Sequence, residues 1–253
     1  MLPISDDNPT LRTPIITLLL LVSLGAVWVL VQGAGLNPQA LAASVCNWGL
    51  VAGEITQRAA VGTAVPLGQG MACVVDRDPN NWLTPLTSMF LHGGWMHLLG
   101  NCLFLWIFGN NVEDSMGRLR FILFYVICGL AAAATQVAMN PGAAVPMVGA
   151  SGAISGVLGA YLLLYPRVRV RVVFIVFVFS VPAWLVLLEW IGLQVLSGWS
   201  QLSKMRPDVS SGVAVWAHIG GFVAGLVLVK LFVNPALVGT RTGIRHRLHP
   251  DHP

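Results

Sequence analysis

Residues 149–165 read GASGAISGVLGAYLLLY, an apolar stretch with glycine at every third or fourth position and Ser151 near its start. A second apolar stretch, residues 213–233, contains His218 within the run AHIGGFVAG. Ionisable side chains are costly at membrane depth, and a histidine there usually marks a functional site. The two stretches therefore predict membrane helices that carry a serine and a histidine into the bilayer.

The composition is typical of an integral membrane protein. Hydrophobic residues make up 56% of the 253 residues and charged residues only 9%, whereas soluble domains are about one quarter charged. The apolar runs do not alternate with polar residues as membrane strands do, so we predict an all-α membrane protein. The first apolar run is long enough to remain in the membrane, and no signal-peptide cleavage is expected.

Six membrane spans are predicted, and they define the domain organisation. They cover residues of about 13–32, 85–108, 121–139, 149–165, 172–196 and 213–233. The chain is accordingly divided into a cytoplasmic N-terminal segment (1–12), a six-helix membrane domain (13–233) with a long first outer loop (about 33–84), and a basic cytoplasmic tail (234–253).

The distribution of lysine and arginine predicts the orientation. With the N-terminus inside, ten of the 14 basic residues fall in cytoplasmic segments and four in outer loops. Basic residues are enriched on the cytoplasmic side, so we expect both termini inside and a location in a bacterial-type plasma membrane. The net charge of +4 follows from this bias, and no nucleic-acid partner is expected.

The four cysteines fall into two pairs by location. Cys46 and Cys73 lie in the first outer loop, and in an oxidising space they could pair as a disulfide or remain two unrelated buried thiols. Cys102 and Cys128 lie within predicted spans and are interpreted as small packing residues.

Four polar residues are predicted to share the outer half of the membrane. Ser151 starts a helix, where free backbone N–H groups and the helix dipole favour negative charge, and His218 could act as its general base. His97 and Asn101 are four positions apart and share one helical face. Two such donors in a dry site, with the Ser151 amide as a third, would stabilise an oxyanion. The site would open to the outer side.

Each of these residues also has a structural interpretation. A serine in a membrane helix is usually a packing residue, and a histidine there could be a proton relay or a metal ligand. His92 and His97 are five positions apart and would diverge by roughly 140° on a helix, so no metal site is expected. The one carboxylate within the predicted spans, Glu189, is placed near the outer end of span five.

Glycine pairs predict close contact between spans four and six. Gly152/Gly156 and Gly221/Gly225 are small-xxx-small pairs, which let helix backbones approach closely. Such a contact would bring Ser151 to His218, although the same motif is compatible with any helical bundle.

Three sequence blocks occur in an informative order: FLHGGWMHLLGN at 90–101, GASGAISG at 149–156 and AHIGGFVAG at 217–225. Together they resemble the rhomboid family of intramembrane serine proteases. The resemblance implies a six-helix bundle with a short central span four and a Ser151–His218 dyad. It also implies an oxyanion hole of His97, Asn101 and the Ser151 backbone amide. The implied substrates are membrane proteins, entering laterally from the side of span five and cut in or near their transmembrane segments, without a cofactor.

The sequence departs from the rhomboid pattern at three places. Ser155 stands where many members have an aromatic residue under the catalytic histidine, so the orientation of His218 is expected to come from a hydroxyl or backbone group elsewhere. A Trp-Arg pair common in the first loop is absent around Trp82, and Gly100 leaves open space near His97 and Asn101.

Two further functions compete with proteolysis. One is a catalytically inactive rhomboid-like protein that binds membrane clients, although this chain keeps the serine, the histidine and both oxyanion donors. The other is a small transporter with His218 and Glu189 as a proton path, against which the spans show no inverted repeat. In the tail, His246, His249 and His252 could bind metal, but a disordered basic tail is preferred.

Overall fold

A computed structural model describes residues 1–68, 70–203 and 214–238, which are mainly helical. The predicted basic tail beyond residue 238, with its three histidines, lies outside the described residues, as do Lys204 and Arg206. The α-helices are α1 (Ile15–Leu30), α2 (Pro38–Trp48), α3 (Ala52–Ile55), α4 (Thr84–Thr87), α5 (Trp95–Phe104), α6 (Asn110–Met116), α7 (Arg118–Met139), α8 (Ser151–Leu164), α9 (Ala183–Ser203) and α10 (Val215–Phe232). The strands are β1 (Leu2–Asp6), β2 (Ala64–Gly68), β3 (Met71–Val74), β4 (Arg169–Phe174) and β5 (Phe177–Pro182).

A helix occurs in each of the six segments predicted to span the membrane. Among the described residues, α7, α9 and α10 are long and apolar enough to cross a membrane, and α1 and α8 are shorter apolar helices. Helix α5 continues through a π-helical segment, Leu105–Gly109, directly into α6.

Helix α8 lies at the centre of the bundle, and its residues from Gly152 to Tyr161 are all buried. Small residues explain how its neighbours pack so closely. A Cβ atom added at Gly156 would lie 2.4 Å from the Cβ of Cys128 on α7, and one added at Gly225 on α10 would lie 2.0 Å from the carbonyl oxygen of Gly156. The backbones of α8 and α10 therefore touch, as small-xxx-small pairs allow.

The first part of predicted span five is not helical, and this corrects the sequence prediction. Residues 172–182 belong to the hairpin of β4 and β5, to which β1 adds a third strand in the order β1-β4-β5. In β4, Val170 and Val172 are fully buried whereas Arg169 and Arg171 are exposed, a period of two that favours a strand. With the second sheet, β2-β3, the fold is mostly helical and not all-α as predicted.

The shift of span five also moves Glu189. Because α9 begins at Ala183, Glu189 lies within its first two turns. The position predicted from the sequence, near the outer end of span five, is therefore wrong. Its Oε1 accepts a hydrogen bond of 3.0 Å from the amino group of Met1. The carboxylate therefore belongs to the end of the bundle where β1 and β4 pair.

A buried carboxylate on α6 fixes the start of α1. Glu113 accepts hydrogen bonds from the backbone N–H of Ile16 (2.9 Å), the N–H of Thr17 (2.8 Å) and the hydroxyl of Thr17 (2.8 Å). It satisfies free donors at the helix N-terminus and places negative charge at the positive end of the helix dipole. The next residue but one, Ser115, accepts the N–H of Asn234 (3.0 Å), so the start of α1 and the end of α10 lie at the same end of the bundle.

The segment predicted as the first outer loop is folded and closed by a disulfide. Cys46 on α2 is bonded to Cys73 on β3, so of the two interpretations the disulfide is confirmed. The loop also holds the segment that precedes α8, since Leu50 forms a β-bridge with Met147 and the N–H of Gly53 donates to Ala143 (2.8 Å). The disulfide-closed loop thereby supports one wall of the cavity described below.

Candidate active site

Ser151 is the first residue of α8, at the exit of a sharp backbone turn. Gly149 adopts φ +130°, a conformation that L side chains rarely adopt, and its N–H donates to the carbonyl of Ser88 (2.8 Å). The N–H of Ile154 donates to Ala150 (3.0 Å) as the first bond of the helix. The N–H groups of Ser151 and Gly152 therefore precede the intrahelical ladder and can donate to a bound group.

The hydroxyl of Ser151 is hydrogen-bonded to His218 on α10. The distance between Ser151 Oγ and His218 Nε2 is 2.7 Å, and His218 is only 9% exposed. The other ring nitrogen, Nδ1, lies 3.0 Å from Oε1 of Gln194 on α9. An amide oxygen only accepts hydrogen bonds, so Nδ1–H donates to Gln194. Nε2 is then the basic nitrogen and accepts the Ser151 proton.

Helix α9 also supplies an aromatic ring beside the histidine. Trp190 packs against His218 with ring centroids 5.6 Å apart and planes tilted by 43°. Ser155 takes no part in this arrangement, because its hydroxyl donates to the carbonyl of Ser151 (2.6 Å) in its own helix. The expected hydroxyl or backbone partner of His218 is thus replaced, among the described residues, by the side-chain amide of Gln194.

His97 and Asn101 face the same space from α5. The Nδ1 of His97 accepts the N–H of Gly93 (3.4 Å), which leaves Nε2 as the donor. A Cβ atom added at Gly149 would lie 2.7 Å from His97 Nε2 and 3.5 Å from Ser151 Oγ, so the missing side chain leaves a gap between these two atoms. The Nδ2 of Asn101 is buried and has no hydrogen-bond partner within the described ranges. Buried donors left free in this way can stabilise an oxyanion.

The side chains of His92 and His97 lie together, although they were predicted to point in different directions on one continuous helix. Helix α5 begins only at Trp95, so His92 precedes it, and the rings of His92 and His97 pack edge to face at 5.1 Å. Across the described part of the chain, no group of three His, Cys, Asp or Glu side chains is placed to hold a metal ion.

A cavity of about 1460 Å³ opens over these residues. Its walls come from α5, α8, α9, α10 and the segment 140–148 before α8. Ser151, His218, His97 and Asn101 all contribute to its lining, and Trp190 and Gln201 border it from α9. A cavity of this size between α5 and α9 can admit an extended peptide segment.

Gln194 and Trp190 are the site residues that sequence reasoning missed. The signal available in the sequence is an amide side chain in the middle of a largely apolar helix, four positions after a tryptophan, which places both on one face. Nothing in the sequence shows which helix that face meets.

The family model and the similar proteins all point to the same family. Residues 79–235 match the Rhomboid domain family, which covers more than half of the chain. Over 81 residues the chain is 42% identical to rhomboid protease GluP of Bacillus subtilis (strain 168), a match that covers 32% of this chain and 15% of that protein. Over 170 residues it is 29% identical to RHOMBOID-like protein 5 of Arabidopsis thaliana, with 64% and 50% covered.

A further relative is the putative rhomboid protease YdcA of Bacillus subtilis (strain 168), 37% identical over 81 residues that cover 32% of this chain and 40% of that protein. The chain spans half or less of the length of each of these three relatives. The family match itself is long and includes all three sequence blocks that surround the site. The chain belongs to the rhomboid family.

Proposed function

We propose that this protein is an intramembrane serine protease that hydrolyses peptide bonds in or near transmembrane segments of membrane-protein substrates. The observation that carries the proposal is the 2.7 Å hydrogen bond from Ser151 Oγ to His218 Nε2 at the floor of an open cavity. A serine activated by an adjacent base is the signature of covalent catalysis. The two residues form a catalytic dyad, and no cofactor is required.

In the first half of the reaction, His218 Nε2 removes the Ser151 proton as Oγ attacks the scissile carbonyl carbon. The tetrahedral intermediate collapses as the C–N bond breaks, and His218 returns the proton to the leaving amine. In the second half, His218 takes a proton from water, which attacks the acyl carbon. The bond from that carbon to Ser151 Oγ then breaks and the proton returns to Oγ.

The negative oxygen of each intermediate is held by three donors: His97 Nε2–H, Asn101 Nδ2–H and the Ser151 backbone N–H. Support for this role comes from the gap at Gly149, which lies next to both His97 Nε2 and Ser151 Oγ. Donors that are buried and already positioned need no reorganisation when charge develops, which is why such groups accelerate acyl transfer.

The membrane arrangement follows from the same proposal. Rhomboid proteins are integral membrane proteins, and we assign six spans within 13–233, both termini to the cytoplasm and the site to the outer side of a plasma membrane. The start of α1, the α6–α7 connection and the end of α10 share one end of the bundle, where Arg120 also donates to the carbonyl of Val233 (3.0 Å). Arginines at that end favour a cytoplasmic location. Residues 1–12 and 234–253 are then cytoplasmic flanks.

Two alternatives have less support. A rhomboid-like protein that only binds clients would not need a serine, a base and free donors in contact range. A proton path through His218 and Glu189 is disfavoured because Glu189 pairs with the amino group of Met1, whereas His218 contacts Ser151 and Gln194.

A serine-directed fluorophosphonate probe tests the proposal on the purified protein. Wild type should be labelled at Ser151 and should cleave a tagged transmembrane substrate. Ser151→Ala should do neither while keeping its helical circular dichroism. Equal cleavage by wild type and Ser151→Ala would refute the assignment, and an unlabelled, inactive wild type would favour the client-binding alternative.

A further inference from the structure

One face of α9 holds the catalytic histidine from the side opposite to Ser151. Gln194 accepts the Nδ1–H of His218 at 3.0 Å, and one turn earlier Trp190 packs against the ring. Ser155 on α8 is turned back onto its own helix. Within the described residues, therefore, the contacts that select the tautomer and the tilt of His218 come from α9.

The helix that provides these contacts is the least buried by the rest of the protein among the three long apolar helices. Only 22% of the apolar window of α9 is buried, compared with 39% for both α7 and α10. It borders the cavity through Trp190 and Gln201, and His97 and Asn101 on α5 line the same cavity. A peptide that enters between α5 and α9 must contact α9, and a helix with few buried contacts to the rest of the protein can shift at small cost.

We propose that Gln194 and Trp190 are positioning residues that orient His218, so that the competence of the general base depends on where α9 lies. This inference rests on the proposed protease function. A substrate that seats α9 against α10 keeps His218 in the tautomer that accepts the Ser151 proton. Displacement of α9 removes the acceptor from Nδ1 and lets the ring turn or change tautomer, which is costly for a base of this type.

The contact between α9 and α10 offers a way to move the helix. A Cβ atom added at Gly198, one turn after Gln194, would lie 3.2 Å from the ring of Trp216 and 3.4 Å from Val215, both on α10. A leucine at this position would push the outer half of α9 away from α10. Gly192 is the matched control on the same helix, because a Cβ atom there would meet nothing within 4 Å.

The first experiment measures kcat, KM and the pH dependence of fluorophosphonate labelling for Gln194→Leu and Gln194→Glu. Gln194→Leu should lower kcat by about tenfold or more with KM unchanged, the rate equivalent of one hydrogen bond. Gln194→Glu keeps an acceptor, so it should retain more activity. Its carboxylate favours the imidazolium form, and the acid limb of the labelling profile should therefore move to higher pH. Ser197→Ala, an exposed position on the same helix, should behave as wild type.

The second experiment is a double-mutant cycle. Gly198→Leu should lower kcat whereas Gly192→Leu should not. The combination of Gly198→Leu with Gln194→Leu should be less than multiplicative, because both changes remove the same bond. Wild-type labelling rates and an unshifted pH profile in both Gln194 variants would overturn the inference while leaving the dyad intact. Failure of wild type itself to label or cleave would instead overturn the proposed function.

Discussion

A methyl group on Gly221 of α10 would lie 2.0 Å from the carbonyl oxygen of Gly152 on α8. Since real Cβ atoms do not approach an oxygen so closely, only glycine fits at this contact. Gly152 directly follows Ser151, and Gly221 lies about one turn after His218. The glycine contact therefore sets the distance between the two helices at the level of the 2.7 Å hydrogen bond between Ser151 and His218.

Gly221→Val should give an inserted, helical, but nearly inactive protein. The larger side chain must push α10 away from α8 and lengthen the distance between Ser151 Oγ and His218 Nε2. A misplacement near 1 Å costs about 10²-fold in rate. The measurement is cleavage of a transmembrane substrate, together with circular dichroism in detergent.

Gly25→Val on α1 is the control for the valine itself, because a Cβ atom at Gly25 meets nothing within 4 Å. It should leave activity near the wild-type rate. Full activity in Gly221→Val would contradict the argument that the α8–α10 contact sets the dyad geometry.

His97→Ala and Asn101→Ala should each lower kcat by up to about 10²–10³-fold, the range for loss of one oxyanion donor. KM should change little, because these bonds strengthen only in the transition state. Leu99→Ala, a half-exposed position on the same helix, serves as the control for truncation of α5. A variant whose KM rose at constant kcat would identify that residue as a substrate-binding group.

Gly149→Ala should abolish activity for two separable reasons. The methyl group would fill the gap between His97 Nε2 and Ser151 Oγ, and φ +130° is strained for alanine. Gly62→Ala, at φ +86° with nothing within 4 Å, carries backbone strain without filling a site and should cost stability only. Thermal unfolding and labelling by the fluorophosphonate probe distinguish the two effects, and labelling of Gly149→Ala at the wild-type rate would exclude the proposed oxyanion site.

Removal of the Cys46–Cys73 disulfide should lower the melting temperature. The bond closes a segment with a sequence separation of 27, and loss of such a cross-link costs about 2–5 kcal/mol. The Cys46→Ser/Cys73→Ser variant should also lose some activity, because the loop supports the segment 140–148 along the cavity. Cys102→Ser removes a free thiol and should not change the melting temperature. An unchanged melting temperature in the double variant would show that the loop is held by its other contacts alone.

The glycine pairs illustrate what can be predicted locally. A glycine at every third or fourth position has one structural consequence, a helix face without side chains, and such a face is stable only against another backbone. The polar residues inside apolar runs can also be identified from the sequence, because ionisable side chains are rare in membrane segments and usually functional. These features are enough to select Ser151, His218, His97 and Asn101 from the sequence.

The strand β4 shows where this reasoning went wrong. Residues 172–182 are rich in apolar side chains, and the predicted span five joins them to the helix that follows, although the alternation of arginine and valine in Arg169–Val172 favours a strand. One of the two strands that pair with β4 is β1, more than 160 positions earlier in the chain. The mean hydropathy of a segment carries no information about a contact with a distant strand. A prediction based on it starts the helix at residue 172 instead of Ala183, and it puts Glu189 near the wrong end of the span.

The sequence by itself determined which segments are apolar enough for a membrane, which polar residues in them are candidates for a site, and which helix faces can touch, because each depends on the spacing of residues within one segment. The tertiary structure alone decided which side chain meets His218 on the side opposite to Ser151. Its ring has one neighbour 67 positions away and another 24 positions away, on helices whose relative rotation depends on all the packing between them. A hydrogen-bond acceptor on α9 and a serine hydroxyl on α8 become parts of one site only when the chain is folded.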